Sequence, residues 1–318
     1  MYRWLSARAG LIADRLADQR GAAWPKTTAA PELIEELRHA VGLLSQESEG
    51  GGQREEFWNS SLRELRDLIQ HDDPSRFLRW PVIAKTMFVN NSLTSLRQWR
   101  WLKRSAQRAR WLGALEENSI GDPKPFLLNT RTSGNQINHT YHLAQFEDKT
   151  HRSVSEARLI LEFGGGYGSM CRQAHKLGFR GRYIIFDLPE FSCLQRFYLK
   201  AIGLPVAAGI SDAGQNAIAL VSNLADLRQT LNLVSAELSP RMFIATWSLS
   251  EVPVELRREI WPLIERFDSY LVGYQTAFGS TSNTEYFGQW VRDNPTVKWN
   301  NYLVPAIRRF NWYLMGTR

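Results

Sequence analysis

The chain has 318 residues, 43% of them hydrophobic, and a formal net charge of +7, which is enough apolar material for one large domain or two ordinary ones. No apolar run reaches the roughly 18 residues of a membrane span, and the opening MYRWLSARAGLIADRL is too often interrupted by charge for a secretion signal, so the cytoplasm is the expected compartment. Cys171 and Cys193 both fall inside helical patterns; they exclude a disulfide framework and a four-cysteine zinc cluster and are expected as packed thiols.

Residues 1 to about 118 carry apolar positions every three or four residues, as in PELIEELRHAVGLL and FWNSSLRELRDLI, and predict helices. ESEGGGQ (47–53) separates those two helices, and HDDPSR and RWPVIA supply further breaks. RQWRWLKRSAQR concentrates positive charge: Arg97, Arg100, Arg104 and Arg108 recur at helical spacing with Lys103 beside them, interleaved with Trp99, Trp101 and, farther on, Trp111. Such a face suits phosphates in a nucleic acid, a nucleotide-sugar or a lipid-linked acceptor; it equally suits a solvated helix face with tryptophans turned inward, which is the commoner case.

From Arg158 the texture changes to short β-rich runs alternating with amphipathic helices: ARLILEF, SMCRQAHKLG, RYIIFD, EFSCLQRFYLKAIG. That alternation predicts βαβ units and a parallel sheet. MFIATW, the helix VELRREIWPLIERF and the strand SYLVGYQ follow. VKWNNYLVPAIRRFNWYLMGTR reads as two strands without a long helix between them, an antiparallel pair closing the sheet.

The first strand ends in LEFGGGYG, an acid followed by glycines at 164, 165, 166 and 168. Glycines between strand and helix let the backbone turn sharply and approach a ligand closely. A dinucleotide pattern would place its third glycine where Ser169 stands; G-x-G-x-G after an acid favours a ligand without pyrophosphate. S-adenosylmethionine fits, with Gly164, Gly166 and Gly168 cradling its amino-acid end and Glu162 orienting the ammonium. Asp187, at the carboxyl end of the next strand, is placed to accept hydrogen bonds from the ribose hydroxyls, with Leu188 beside it in the cofactor set. The alternative is a tight turn with an unrelated surface acid.

At these residues the chain resembles the bacterial sugar O-methyltransferases, within the class I S-adenosylmethionine-dependent methyltransferases. The resemblance covers roughly residues 119 to 318 and rests on SGNQINHTYHLAQFE, LILEFGGGYGSMCR, YIIFDLPEFSCLQRFYL, FIATWSLSEVP and YQTAFGSTSNTEYF. It implies an α/β fold: a Rossmann-like, seven-stranded, mostly parallel sheet with one antiparallel strand, behind an N-terminal helical region. It also implies methyl transfer (an EC 2.1.1 activity) to a saccharide hydroxyl on a nucleotide-sugar, glycan or glycosylated metabolite. The expected organisation is a helical region over 1–118, covering the acceptor site or forming a homodimer contact; a connecting segment over 119–155 with candidate acceptor-site residues; and the methyltransferase domain over 156–318. The superfamily places a polar residue near adenine after the third strand, where either ISDAG (Ser211, Asp212) or LVSNLADL (Ser222, Asn223) can supply it.

Methyl transfer from a sulfonium needs in-line positioning above all, but a sugar hydroxyl is barely ionised and gains from a general base. In GNQINHTYHL, His139 and His142 share a helix face with Asn135 and Asn138, a base with amides to orient a sugar; a polar helix start satisfying backbone groups has the same pattern. His139 is preferred, then His142, over Glu251, which follows a strand end in TWSLSEVP and can instead cap the next helix. Gln275, Asn283 and Tyr286 follow the next strand as candidate acceptor ligands, and His175 is expected to face solvent. No third ligand accompanies the paired histidines, so no metal is expected. Nucleic acid is not an expected partner either: an amino-methyltransferase of bases would show Asp/Asn-Pro-Pro-aromatic where this chain has TWSLSEVP, and neither cysteine has the setting of a cytosine-C5 nucleophile. The other classes in contention are a methyltransferase with a non-sugar small-molecule acceptor and an inactive, cofactor-binding assembly partner.

Overall fold

The computed structural model describes residues 2–44, 53–209, 217–234, 238–307 and 310–318. Residues 47–52 of the expected break between helices, and Ser211 and Asp212 of the ISDAG alternative, lie outside the described residues. The elements in chain order begin with the helices α1 (Tyr2–Arg20), α2 (Pro31–Leu44), α3 (Gln53–His71), α4 (Pro81–Thr86), α5 (Leu93–Arg104) and α6 (Arg108–Ala114). A short hairpin, β1 (Pro125–Phe126) and β2 (Asn129–Ser133), leads into α7 (Gly134–Thr150). Then come β3 (Leu159–Phe163), α8 (Ser169–Lys176), β4 (Arg182–Phe186), α9 (Pro189–Ala201), β5 (Ile218–Val221), α10 (Leu224–Val234), β6 (Arg241–Thr246), α11 (Val254–Ile264) and β7 (Ser269–Gln275). The hairpin β8 (Ala277–Phe278) and β9 (Thr281–Ser282), α12 (Asn283–Asp293), β10 (Lys298–Leu303) and β11 (Asn311–Thr317) complete the chain.

The seven-stranded sheet has the order β10-β11-β7-β6-β3-β4-β5. β3 to β7 pair in parallel, while β11 runs antiparallel to both β7 and β10. The mostly parallel α/β sheet with one antiparallel strand is therefore present, and the terminal segment forms the expected antiparallel pair. Alternation fixes the faces of β3: Leu159, Leu161 and Phe163 join a core with Phe243, Val272, Leu227, Ile260 and Phe287, so Ile160 and Glu162 point to the other face. No described helix is long and apolar enough to cross a membrane.

Contacts divide the chain into two compact units that do not follow chain order. One holds Met1–Tyr141, Gly166–Ser169 and Leu188–Val206; the other holds His142–Gly165, Met170–Asp187 and Ala207–Arg318. α9, a crossover helix by sequence, packs with the first helices. Lys200 of α9 pairs with Glu36 of α2 at 2.7 Å. Glu190, the acid of FDLPE, is only 4% exposed and pairs with Arg66 of α3 at 3.0 Å. Phe77, fully buried, receives the edges or faces of Trp80, Tyr167, Phe197 and Tyr198. The breaks HDDPSR and RWPVIA act as read: Asp73 accepts from Ser75 N at 2.9 Å to cap a 3-10 turn, and Pro81 opens α4.

Candidate functional site

The sheet order reverses at β3: the chain goes from β3 to β4 and β5 on one side, then returns to β6 and β7 on the other. The switch point of such a sheet, at the carboxyl ends of its central strands, is where a ligand crevice forms. Here it is flanked by the glycine turn after β3 and by Trp247–Glu251 after β6. The two turns touch: the Ser248 hydroxyl donates to the Phe163 carbonyl. A side chain at Gly164 would collide with Ser248, reaching within 2.9 Å of its Oγ.

Gly164, Gly166 and Gly168 have φ of +71°, +58° and +94°. All three lie in the left-handed region that β-carbon-bearing residues rarely adopt, which is why glycine stands there. Glu162 is 2% exposed and accepts from the Tyr183 hydroxyl of β4 at 2.8 Å. Burial, the leading cause, and the nearby charge of Asp187 push its carboxyl up to about 8, against the lowering effect of Tyr183. A buried carboxyl in that state becomes an anion when a cation arrives beside it, which suits an ammonium group. Asp187 directly follows β4 and is half-exposed, its backbone N–H donating to Val221 O at 3.1 Å. The leucine after it, Leu188, is 39% exposed and offers open apolar surface. The residues present therefore fit an adenosyl sulfonium bearing an amino-acid end.

The turn after β6 has a residue that sequence reading passed over. Trp247 has φ +69°, strained for a tryptophan. It is held by a backbone bond to Gly273 O at 2.7 Å, an indole bond to Asn311 Oδ1 at 2.8 Å, and its ring lying on Gly273. Glu251 ends the 3-10 turn that follows, accepting from Gln275 Nε2 at 3.3 Å, and burial raises its carboxyl above the usual range. It does not cap α11, whose first turn has no side-chain cap. Gln275 also accepts from the Ser250 hydroxyl at 2.8 Å, so both ends of its amide are engaged in setting this turn, where an acceptor ligand was expected. Asn283 departs further from expectation: it is fully buried, accepts from Arg257 at 2.7 Å and donates to the Gln275 and Ser250 carbonyls, a brace between loops. Tyr286 packs its ring beneath the Arg257 guanidinium at 5.0 Å.

In the other unit the second half of the turn is braced by α7 and α9. Gln195 of α9 donates to Gly166 O at 2.8 Å, and a β-carbon at Gly166 would stand 3.3 Å from Met87 Sδ. Asn135 is buried, accepts from Val89 N at 3.3 Å and donates to the Tyr167 hydroxyl at 2.6 Å. Asn138 accepts from Gln98 Nε2 at 2.7 Å. His139 is partly exposed, with Nδ1 at 2.9 Å from Ser169 Oγ, and burial lowers its imidazole to about 4. Asn135, Asn138, His139 and His142 do share one face of α7, as their spacing requires, yet the asparagines serve the turn and a neighbouring helix. His142 is fully buried, bonded through Nδ1 to the Tyr313 hydroxyl and lying 5.1 Å from the Trp247 ring.

His139, His142 and Glu251 stand in different surroundings as candidate bases. His142 is sealed in aromatic packing, and an imidazole near 4 is a weak proton acceptor at neutral pH, whereas a raised carboxylate is a stronger one than usual. Asn223 is exposed and caps α10, accepting from Asp226 N at 2.9 Å and donating to its carboxylate at 2.8 Å; Ser222 is half-buried. His175 is half-buried where a solvent-facing ring was expected, donating from Nδ1 to Cys171 O at 2.8 Å. Cys171 is buried in α8 and Cys193 half-buried in α9, both as free thiols. The basic residues Arg97, Arg100, Lys103, Arg104 and Arg108 are all exposed, while Trp111 is buried and Trp101 packs on Tyr141. Among the described residues no group of three or more His, Cys, Asp and Glu could hold a metal ion.

No family model matches the chain, and no curated protein matches it in sequence. Among solved structures it is similar to the S-adenosylhomocysteine-bound methyltransferase PaMTH1 of Podospora anserina, at 9% identity over 86% of this chain and 99% of that one, with a TM-score of 0.38. It is also similar to the fibrillarin pre-rRNA processing protein of Methanococcus jannaschii (10% identity, 52% and 67% covered, TM-score 0.36). A third similarity is to the methyltransferase domain of bacterial CtHen1-CN (11% identity, 58% and 99% covered, TM-score 0.39). At these identities and scores the reading of the site rests on this chain's own residues.

Proposed function

We propose that the protein is an S-adenosylmethionine-dependent methyltransferase that methylates a hydroxyl of a saccharide. The observation that carries the reading is the switch-point arrangement: three left-handed glycines after β3, the buried Glu162 at their foot, and Asp187 directly after the neighbouring strand. The cofactor supplies a methyl group activated on sulfonium. Glu162 holds the ammonium, Gly164 to Gly168 let the amino-acid end lie against the backbone, and Asp187 accepts from the ribose hydroxyls with Leu188 exposed beside it. Glu251, held by Gln275, takes the proton from the attacking hydroxyl.

The saccharide rests on the sequence resemblance in SGNQINHTYHLAQFE, FDLPE with LQRFYL, and TWSLSE. Nucleic acid remains outside the proposal, because no base-modifying motif follows β6. Binding of S-adenosylhomocysteine by calorimetry tests the cofactor. Mass spectrometry of glycans from cells with and without the gene tests the acceptor: one methyl group should disappear from a surface saccharide, and unchanged glycans with a methylated small molecule lost would move the acceptor to a non-sugar metabolite.

A further inference from the structure

The two oxygens of the buried Glu162 carboxyl are not equivalent. Among the described residues its one hydrogen-bond donor is the Tyr183 hydroxyl, which meets Oε2 at 2.8 Å, and Oε1 accepts none. Gly165 covers the same side of the group. A β-carbon there would stand 3.2 Å from the carboxyl carbon and from Oε2, and 2.5 Å from Ile185 Cγ2, so glycine is what lets the backbone of the turn rest on the carboxyl. The phenol is held in place. Tyr183 is fully buried, and Phe179 meets its ring edge-on with centroids 5.8 Å apart. The His175 ring lies 6.1 Å from it and is itself tied through Nδ1 to Cys171 O at 2.8 Å. A phenol facing a carboxyl donates, and the oxygen that accepts from it is the carbonyl one when the group is protonated. The carboxyl's own proton therefore sits on Oε1.

We propose that Tyr183 is a positioning residue for the cofactor: it occupies Oε2 of Glu162 and so reserves Oε1 for the ammonium group of S-adenosylmethionine. This role rests on the proposed function, which lays the amino-acid end of the cofactor on the glycine turn. The ammonium takes the place of the proton on Oε1, and that proton leaves to solvent as the cofactor binds. The bond from Tyr183 favours the carboxylate and opposes the burial that raises the group to about 8. The surrounding titratable groups do not do this for it. Burial holds the Cys171 thiol of α8 well above its ordinary range and lowers the His175 imidazole, so both are uncharged near neutrality. The register partner of Glu162 in β6 is Ile244, and the charge of Asp187 raises the carboxyl further. Without the phenol, burial and Asp187 both keep the proton on Oε1, where the ammonium has to go.

The test is calorimetry of the intact protein and Tyr183→Phe, with S-adenosylhomocysteine and with its analogue lacking the α-amino group, between about pH 6 and pH 9. Tyr183→Phe removes one oxygen and keeps the ring that Phe179 holds, so the fold is retained. Loss of a hydrogen bond to a charged group moves the carboxyl up by about one pH unit or more. S-adenosylhomocysteine should therefore bind about ten-fold or more weakly to Tyr183→Phe near pH 6.5, and that loss should shrink at least about three-fold by pH 9. The analogue should lose less than about two-fold at every pH, since it brings no cation to Oε1. In a Glu162→Gln background, Tyr183→Phe should add less than about two-fold. Without ligand, the 13C-carboxyl signal that is missing from Glu162→Gln should titrate near 8 in the wild type and higher in Tyr183→Phe. A loss that is constant with pH, equal for both ligands or absent, or a carboxyl titration unmoved in Tyr183→Phe, overturns the role of Tyr183 and leaves the cofactor reading in place. A wild type that binds no S-adenosylhomocysteine at any pH overturns the cofactor reading and this role together.

Discussion

Tyr183 of β4 donates its hydroxyl to Glu162 of β3 at 2.8 Å, on the face of the sheet opposite the apolar core, so the acid beneath the glycine turn is buried yet hydrogen-bonded. Its carboxyl moves from 4.5 to about 8. Between those two values the folded state holds a proton that the unfolded state has lost, so this group makes stability fall as pH rises from about 4.5 to about 8 and contributes no further change above. In thermal melts across that range, Glu162→Gln should gain on the wild type as pH rises. A constant difference between the two would show that the carboxyl is not shifted.

The same proton links to binding. If an ammonium group ionises Glu162 on arrival, S-adenosylhomocysteine affinity should rise with pH up to about 8 and then level off. Binding at neutral pH should release close to one proton, read as the dependence of calorimetric heat on the buffer's ionisation enthalpy. Glu162→Gln should bind at least ten-fold more weakly and release none.

Gly166→Val should abolish binding, because valine must adopt φ +58° and place its β-carbon 3.3 Å from Met87 Sδ. Asp187→Ala should retain the fold and cost about 1 to 3 kcal/mol of affinity, the range for losing hydrogen bonds to a carboxylate. Wild-type affinity in both variants would sink the cofactor assignment.

The sheet was legible in the sequence because strands and helices alternate with distinct periods, and because LEFGGGYG marks a turn that only glycine can make. The unit boundaries were not. Nothing in EFSCLQRFYLKAIG announces that its acid pairs with Arg66, some 120 residues earlier in the chain. The site divided in the same way. Glu162 and the glycines act locally, so spacing located them, whereas Tyr183, Ser169 and Trp247 matter through partners that only folding supplies. Asn283 looked like a ligand because a loop asparagine is usually exposed; here Arg257 and two carbonyls enclose it.

His142 should matter to stability more than to chemistry. It is fully buried, bonded to Tyr313 and packed against Trp247. His142→Ala leaves a cavity and removes the bond to the Tyr313 hydroxyl, and should destabilise the protein by about 2 to 4 kcal/mol, seen as a lower midpoint in urea. Wild-type stability with abolished turnover would return His142 to the role of base.

The exposed arginines of α5 and α6 should not make this a nucleic-acid-binding protein. In a filter-binding assay, RNA should be held only weakly at physiological salt, and affinity should drop steeply as salt rises, as for any non-specific phosphate contact. Submicromolar binding at physiological salt, lost on changing Arg97, Arg100 and Arg104 to glutamate, would make the basic face an acceptor surface and RNA the acceptor.

The base is the last point to be decided, and Glu251 and His139 make opposite predictions. Glu251 stands after β6, its carboxyl raised by burial and its Oε1 held by Gln275 at 3.3 Å. A raised carboxylate accepts a proton more readily than an ordinary one, and a neutral glutamine of the same shape cannot accept it at all. Glu251→Gln should therefore lower kcat by roughly 10²- to 10⁴-fold while S-adenosylhomocysteine affinity stays within a few-fold, the signature of lost proton transfer. Gln275→Leu should have a smaller effect in the same direction and move the acidic limb of the kcat profile upward, since the bond it removes is one that lowers the Glu251 carboxyl. His139→Gln should keep that acidic limb, because the residue it replaces does not titrate near neutrality. An intact limb in Glu251→Gln and a missing one in His139→Gln would exchange the two roles.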